Sequence, residues 1–255
     1  MTGSPRERYL TVFGRKPVLE ALRDPRLAVA KVLVSERAGG ASLDEVLGAA
    51  RRSGTPVERV SEAKVAAVAG NARHHQGVVA DVEAPRMSGI GAFLERRRGG
   101  RSFATTVLVL DHLHNPANVG LVIRSAAAAG LDGVVVPKAG CAELGPLVLK
   151  ASAGVAFAAP IVRAATTVEA LEALAEARFT IVGLSASAPE TLFEAALPER
   201  AAYVLGNETD GVSADAAAFV ERWLSIPVAS PVESLNVACA ATLVAYEAAR
   251  RRARG

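Results

Sequence analysis

TTVLVLDHLHNPANVGLVIRSAAAAGLDGVVVP, residues 105 to 137, runs from an unbroken apolar strand through an Ala-rich helix into a second apolar strand. Strands with no polar alternation are buried on both faces, and a helix between two of them is the crossover of a parallel sheet. The alternation continues outward with a helix ending near KASAG (150–154), IVR (161–163), VEALEALAEA (168–177) and FTIVGLS (179–185). After these come AAYVLG (201–206), a helix after Val212, WLSIP (223–227) and a final helix in VESLNVACAATLVAYEAARRR (232–252). The pattern predicts an α/β fold whose mostly parallel sheet is covered on both faces, with ligands beyond the carboxyl ends of its strands. HLHNPANVG after the first strand contains one glycine and no GxGxxG, and no GxxxxGK[ST] occurs, which argues against a dinucleotide cradle or a P-loop.

Toward the amino terminus the elements are shorter. KPVLEALRD (16–24) has helical spacing, AVAKVLVSE (28–36) is strand-like, and LDEVLGAARRSG (43–54) is a helix closed by Gly54. PVERV (56–60) and GVVADVE (77–83) read as strands around the helix SEAKVAAVAG (61–70), with Ser61 as N-cap and Gly70 as stop. The chain divides accordingly into a small α/β unit (1–84), a linker (85–103) and a larger unit (104–255). The linker carries a short amphipathic helix and Arg96, Arg97, Arg98 and Arg101, either a solvated face or an RNA contact. His74 and His75 before Gln76 read first as a turn, with RNA contact as the alternative.

Residues 1–102 carry 18 Lys and Arg against 11 Asp and Glu, whereas 103–255 carry 11 against 15. The basic half is the candidate surface for a polyanion, although the arginine excess also suits a GC-rich genome. Aromatic residues make up only 4% of the chain, so a surface that stacks many bases is not expected. No apolar run approaches the roughly 20 residues of a membrane span, and charges fill the amino terminus where a secretory signal would be apolar. The expected location is cytoplasmic, with no membrane. Cys141 and Cys239 lack any CxxC spacing and are expected to be buried free thiols.

Three strand ends gather polar residues. In DHLHNPANVGLVIR (111–124), Asn118 is a candidate helix cap and Arg124 projects from a Val/Ile/Ala helix, where a solvated surface arginine is the plain alternative. Asp111, His112 and His114 show no further ligand pattern, so no metal site is expected. In YVLGNETDGVS (203–213) a buried strand enters two glycines, either a tight turn or a place where a ligand meets backbone. In LSIPVASPVESLNVACA (224–240), Ser234 is the candidate N-cap, and Asn236 falls inside the first turn with no capping task.

Taken together, NPANVGLVIR, LGNETDG and IPVASPVESLNVACA resemble in order and spacing the three motifs of the TrmH/SpoU family of the SPOUT superfamily, the RNA ribose 2′-O-methyltransferases. The likeness spans about residues 104 to 250. FGRKPVLEAL to HHQGVVADV resembles the substrate-binding domain of the rRNA-modifying branch, a fold like ribosomal protein L30e. The resemblance implies a trefoil knot in the larger unit, S-adenosylmethionine as methyl donor, no metal, and a homodimer whose active site is completed across the interface. It places the donor against Leu184, Leu205, Gly206, Asn207, Ile226, Val228, Ser234 and Leu235. It assigns the reaction to Arg124, organised by Asn118, Glu208, Ser234 and Asn236. Thr209 stands where the family commonly has glycine, so either the loop is open to a β-branched residue or donor affinity is altered. The implied function is 2′-O-methylation of RNA, foremost a guanosine of 23S rRNA. The alternatives are a tRNA enzyme, an antibiotic-resistance rRNA methyltransferase, or a noncatalytic RNA-binding or assembly protein on the same fold.

Overall fold

The computed structural model describes residues 8–70, 74–98, 104–196, 198–229 and 234–253. Buried Leu10 and Val12 alternate with half-buried Tyr9, Thr11 and Phe13, a period of two that makes strand β1 (Tyr9–Phe13) an addition to the elements expected from sequence. It pairs with β4 (Val78–Glu83), which pairs with β2 (Val29–Ser35), itself beside β3 (Val57–Val60). Only the β2–β3 pairing is parallel. Helices α1 (Arg15–Arg23), α2 (Ala41–Ser53) and α3 (Glu62–Val68) complete this unit. Ser61 caps α3 through the Lys64 amide, and Gly54 closes α2 at φ 69°, as their residue types predict. His75 Nδ1 accepts from the Gly77 amide and Gln76 has φ 51°, so HHQG forms a turn.

The second sheet is parallel throughout: β5 (Ser88–Gly89), β6 (Thr105–Leu110), β7 (Gly133–Pro137), β8 (Ile161–Ala164), β9 (Thr180–Leu184), β10 (Arg200–Leu205) and β11 (Arg222–Leu224). Its order is β11-β9-β10-β6-β7-β8-β5, so the chain winds outward from β6 on one side, then crosses to build the other. The reversal falls between β6 and β10, where open parallel sheets leave a crevice for ligands. Every residue of β6 and β7 is buried, as their unbroken apolar runs predict. On the faces lie α4 (Ile90–Arg98), α5 (Pro116–Ala128), α6 (Pro146–Ala151), α7 (Thr167–Glu176), α8 (Ala214–Ala217) and α9 (Val237–Arg252).

Within residues 85–103, β5 joins the edge of the large sheet, and Ile90, Phe93 and Leu94 of α4 enter its core. Arg96 donates to Ser88 Oγ at 2.7 Å and Arg97 pairs with Asp132 at 2.9 Å, so both are held within the fold. Arg101 lies outside the described residues. The thiols correct the sequence reading: Cys141 is half-buried and Cys239 is exposed on α9. Helical spacing turns Cys239 away from Ala238 and Ala241, which face the core. No helix among the described residues is long and apolar enough to cross a membrane.

Candidate active site

β10 runs straight into Gly206, and the chain folds back so tightly that a Cβ there would lie 2.0 Å from the Gly211 carbonyl carbon. Only glycine fits. Asn207 and Gly211 exchange backbone hydrogen bonds of 3.0 and 3.1 Å, and Asn207 Oδ1 accepts from the Thr209 and Asp210 amides at 2.8 and 2.7 Å. This Asx turn puts the positive φ at Gly211 and not at Thr209, so the loop is open to a β-branched residue. Asp111, fully buried at the end of β6, anchors the far side of the loop by accepting from the Ser213 amide at 2.7 Å; His112 Nδ1 lies 3.0 Å from its other oxygen.

Two capping expectations are corrected. Asn115 caps α5, its Oδ1 accepting from the Ala117 amide at 2.9 Å, because Pro116 begins the helix and leaves Asn115 as the last extended residue. Asn118 is inside the helix and buried. Asn236, not Ser234, caps α9, accepting from the Ala238 amide at 2.9 Å with extended backbone at φ −52°, ψ 140°. Ser234 is exposed, two residues short of the helix.

Freed from capping, Asn118 becomes the middle of a chain of polar contacts. Asn236 Nδ2 donates to Asn118 Oδ1 at 3.2 Å, and Asn118 Nδ2 donates to Glu208 Oε1. Residues 118 and 236 therefore hold one carboxylate of the 206–211 loop in a fixed direction. That carboxylate borders a cavity of about 610 Å³ at the carboxyl ends of β9, β10 and β11. All eight residues expected to bind the donor line it: Leu184, Leu205, Gly206, Asn207, Ile226, Val228, Ser234 and Leu235. Its size and apolar walls suit an adenine nucleoside. Glu208 and Asp210 also line the cavity and give it two acidic side chains.

Arg124 stands apart. It is exposed and is not among the lining residues; with Ala117, Leu121 and Ala128 it forms an outward face of α5. Trp223 lines the cavity and was not anticipated. It pairs across the sheet with Gly183, where a Cβ would lie 2.5 Å from the indole, so a glycine inside strand FTIVGLS was the available signal.

The model of the SpoU rRNA methylase family matches residues 105–246, and the model for RNA 2′-O ribose methyltransferase substrate binding matches 11–88. The chain belongs to the SpoU rRNA methylase family. Among relatives of this SpoU chain, the 23S rRNA (guanosine-2′-O-)-methyltransferase RlmB of Xanthomonas axonopodis pv. citri is 32% identical, the alignment covering 94% of this chain and 96% of the relative. The crystal structure of the SpoU methyltransferase AviRb from Streptomyces viridochromogenes, in complex with the cofactor AdoMet, superposes with a TM-score of 0.64 at 27% identity. It covers 98% of this chain and 93% of that one. A structure bearing on 2-OH methylation of C/U34 on tRNA gives a TM-score of 0.51 at 28% identity, covering 99% of that chain but 60% of this one. This SpoU chain is an RNA 2′-O-methyltransferase.

Proposed function

We propose that the enzyme moves the methyl group of S-adenosylmethionine to the ribose 2′-hydroxyl of a guanosine in 23S rRNA. The observation that carries the reading is the relay Asn236–Asn118–Glu208, which joins all three motifs and ends on a carboxylate that lines the cavity. The preference for ribosomal RNA is supported by coverage: the RlmB relative aligns along almost the whole chain, whereas the tRNA-related structure matches 60% of it. Residues 1–84 are then the substrate-binding domain and 104–255 the catalytic domain, joined by 85–103, whose β5 and α4 pack on the larger sheet; a trefoil knot in the catalytic domain brings the second and third motifs to the same cavity. The cytoplasm is the site of action.

S-adenosylmethionine supplies an electrophilic carbon when bound, and what the protein adds is chiefly orientation, since a protonated hydroxyl must approach that carbon in line. Backbone groups of Gly206, Ile226 and Leu235 hold the adenosine between apolar walls, and Ser234 and Asn236 position the ribose. Arg124 clamps the target phosphate and polarises the hydroxyl. Its outward position on α5 supports a homodimer in which Arg124 of one protomer completes the cavity of its partner, with Leu121 and Tyr246, 42% and 52% exposed, in the contact.

Incubation with tritiated S-adenosylmethionine and separated 23S rRNA and tRNA tests the reading. Label enters 23S rRNA, and primer extension stops at one guanosine. Label confined to tRNA overturns the rRNA assignment; donor binding without label in any RNA leaves the noncatalytic RNA-binding alternative.

A further inference from the structure

A second cavity, of about 370 Å³, lies where the two units meet. Tyr9, Thr11 and Phe13 share one face of β1 and form one wall; Lys138, Glu143 and Arg163 come from the ends of β7 and β8 and the loop between β7 and α6. The units approach closely on both flanks: a Cβ at Gly70 would lie 2.5 Å from Glu143 Oε2, and one at Gly145 would lie 3.5 Å from the Phe13 ring. Arg163 Nη1 is held by the Val136 carbonyl at 2.7 Å. By contrast, the side chains of Lys138 and Glu143 are exposed and have no hydrogen-bond or ion-pair partner among the described residues.

We propose that this cavity takes one unpaired nucleotide of the RNA, a guanosine flanking the methylated one, and so helps to choose the site of methylation. The proposal rests on the reading of the chain as an RNA 2′-O-methyltransferase. Both cavities open at the carboxyl edge of the same parallel sheet, and β8 and β10 are separated by β7 and β6. Three strand steps come to about 14 Å. That is too far for one nucleotide to occupy both places and near enough for one RNA strand to touch both. Aromatic residues are few in this chain, yet two face this cavity, sufficient to stack a single base. Lys138 and Arg163 match a backbone phosphate. The carboxylate of Glu143, without a partner among the described residues, selects the base: guanine alone presents two adjacent N–H donors, N1–H and N2–H, on its Watson–Crick edge, and a carboxylate accepts both.

The test uses the full chain, S-adenosylmethionine and a synthetic 23S rRNA fragment containing the methylated guanosine, with initial rates measured against RNA concentration. Lys138→Glu raises KM for the RNA about tenfold, and Glu143→Gln raises it about threefold, with kcat and calorimetric donor affinity changed less than about twofold. Both residues are exposed, and thermal melting confirms that the variants fold. Replacing each flanking guanosine in turn by inosine, which lacks the N2 amino group, raises KM at one position for the unmodified enzyme and not for Glu143→Gln. Unchanged KM in both variants while the unmodified enzyme methylates the fragment overturns the flanking site and leaves the activity standing. An inosine penalty that is the same with and without Glu143 overturns the choice of guanine. No label in any RNA from a donor-bound enzyme removes the activity and this inference together.

Discussion

One sheet edge carries two different kinds of polar surface. At the β9–β10–β11 end, Asn236, Asn118 and Glu208 satisfy one another, Asn207 closes its own turn, and Asp111 grips Ser213. At the β7–β8 end, Lys138 and Glu143 have no partner among the described residues. The first arrangement is set before any ligand arrives, which is what a reaction limited by orientation requires. The second leaves charges for something else to satisfy, which suits recognition. Binding groups tolerate motion that reacting groups do not, so the same fold can be rigid at one end and open at the other.

Substitutions can break or sharpen this contrast. Arg124→Ala should lower kcat about 1000-fold with donor affinity unchanged within about twofold; full activity would remove Arg124 from the reaction. Mixing that variant with Asn118→Ala should restore about a quarter of wild-type activity, because in a mixed dimer one composite site is intact. No recovery from dimers of confirmed mixed composition would place Arg124 in its own protomer's site. Asn118→Ala alone should reduce kcat about 100-fold by releasing both Glu208 and Asn236, measured in single turnovers. A loss in RNA affinity alone would mean the relay recognises RNA and is not tied to reaction geometry.

Gly206→Ala should abolish donor binding by calorimetry and cost about 1–3 kcal/mol in urea unfolding, since the added methyl meets the Gly211 backbone. Normal donor affinity would show that the turn can open. The smallest effect concerns α9, which supplies Asn236. Glu247 receives hydrogen bonds from Arg250 and Arg251, and the Arg250 contact first, then Arg251, holds its carboxyl at about 2 against an ordinary 4.5. A lowered carboxyl pKa contributes stability that is full above about pH 4.5 and lost as pH falls toward 2. Glu247→Gln should flatten that acid-side slope, by on the order of 1 kcal/mol after solvent screening; an unchanged slope would assign acid sensitivity elsewhere.

Apolar runs and helical spacing are local properties, and they were enough to read the parallel sheet and the three polar strand ends, while the family resemblance supplied eight of the residues that line the larger cavity. Cap identity was not legible at that level. Asn115 and Asn118, or Ser234 and Asn236, are equally good caps by type, and the backbone angle at one residue decides between them. Strand β1 escaped notice because five residues of alternating burial are a weak pattern until β4 pairs with them.

The sequence alone determined the alternating apolar strands and helices of the larger unit and the polar segments at three strand ends, since these depend on residue type and spacing along the chain. Only the tertiary structure decided which residues meet: Asn118 with Glu208 across 90 residues, Trp223 with the space left by Gly183, Arg124 turned outward, and the first unit closed over Lys138 and Glu143. Those outcomes depend on strand order and packing, which join segments that local preference treats as independent.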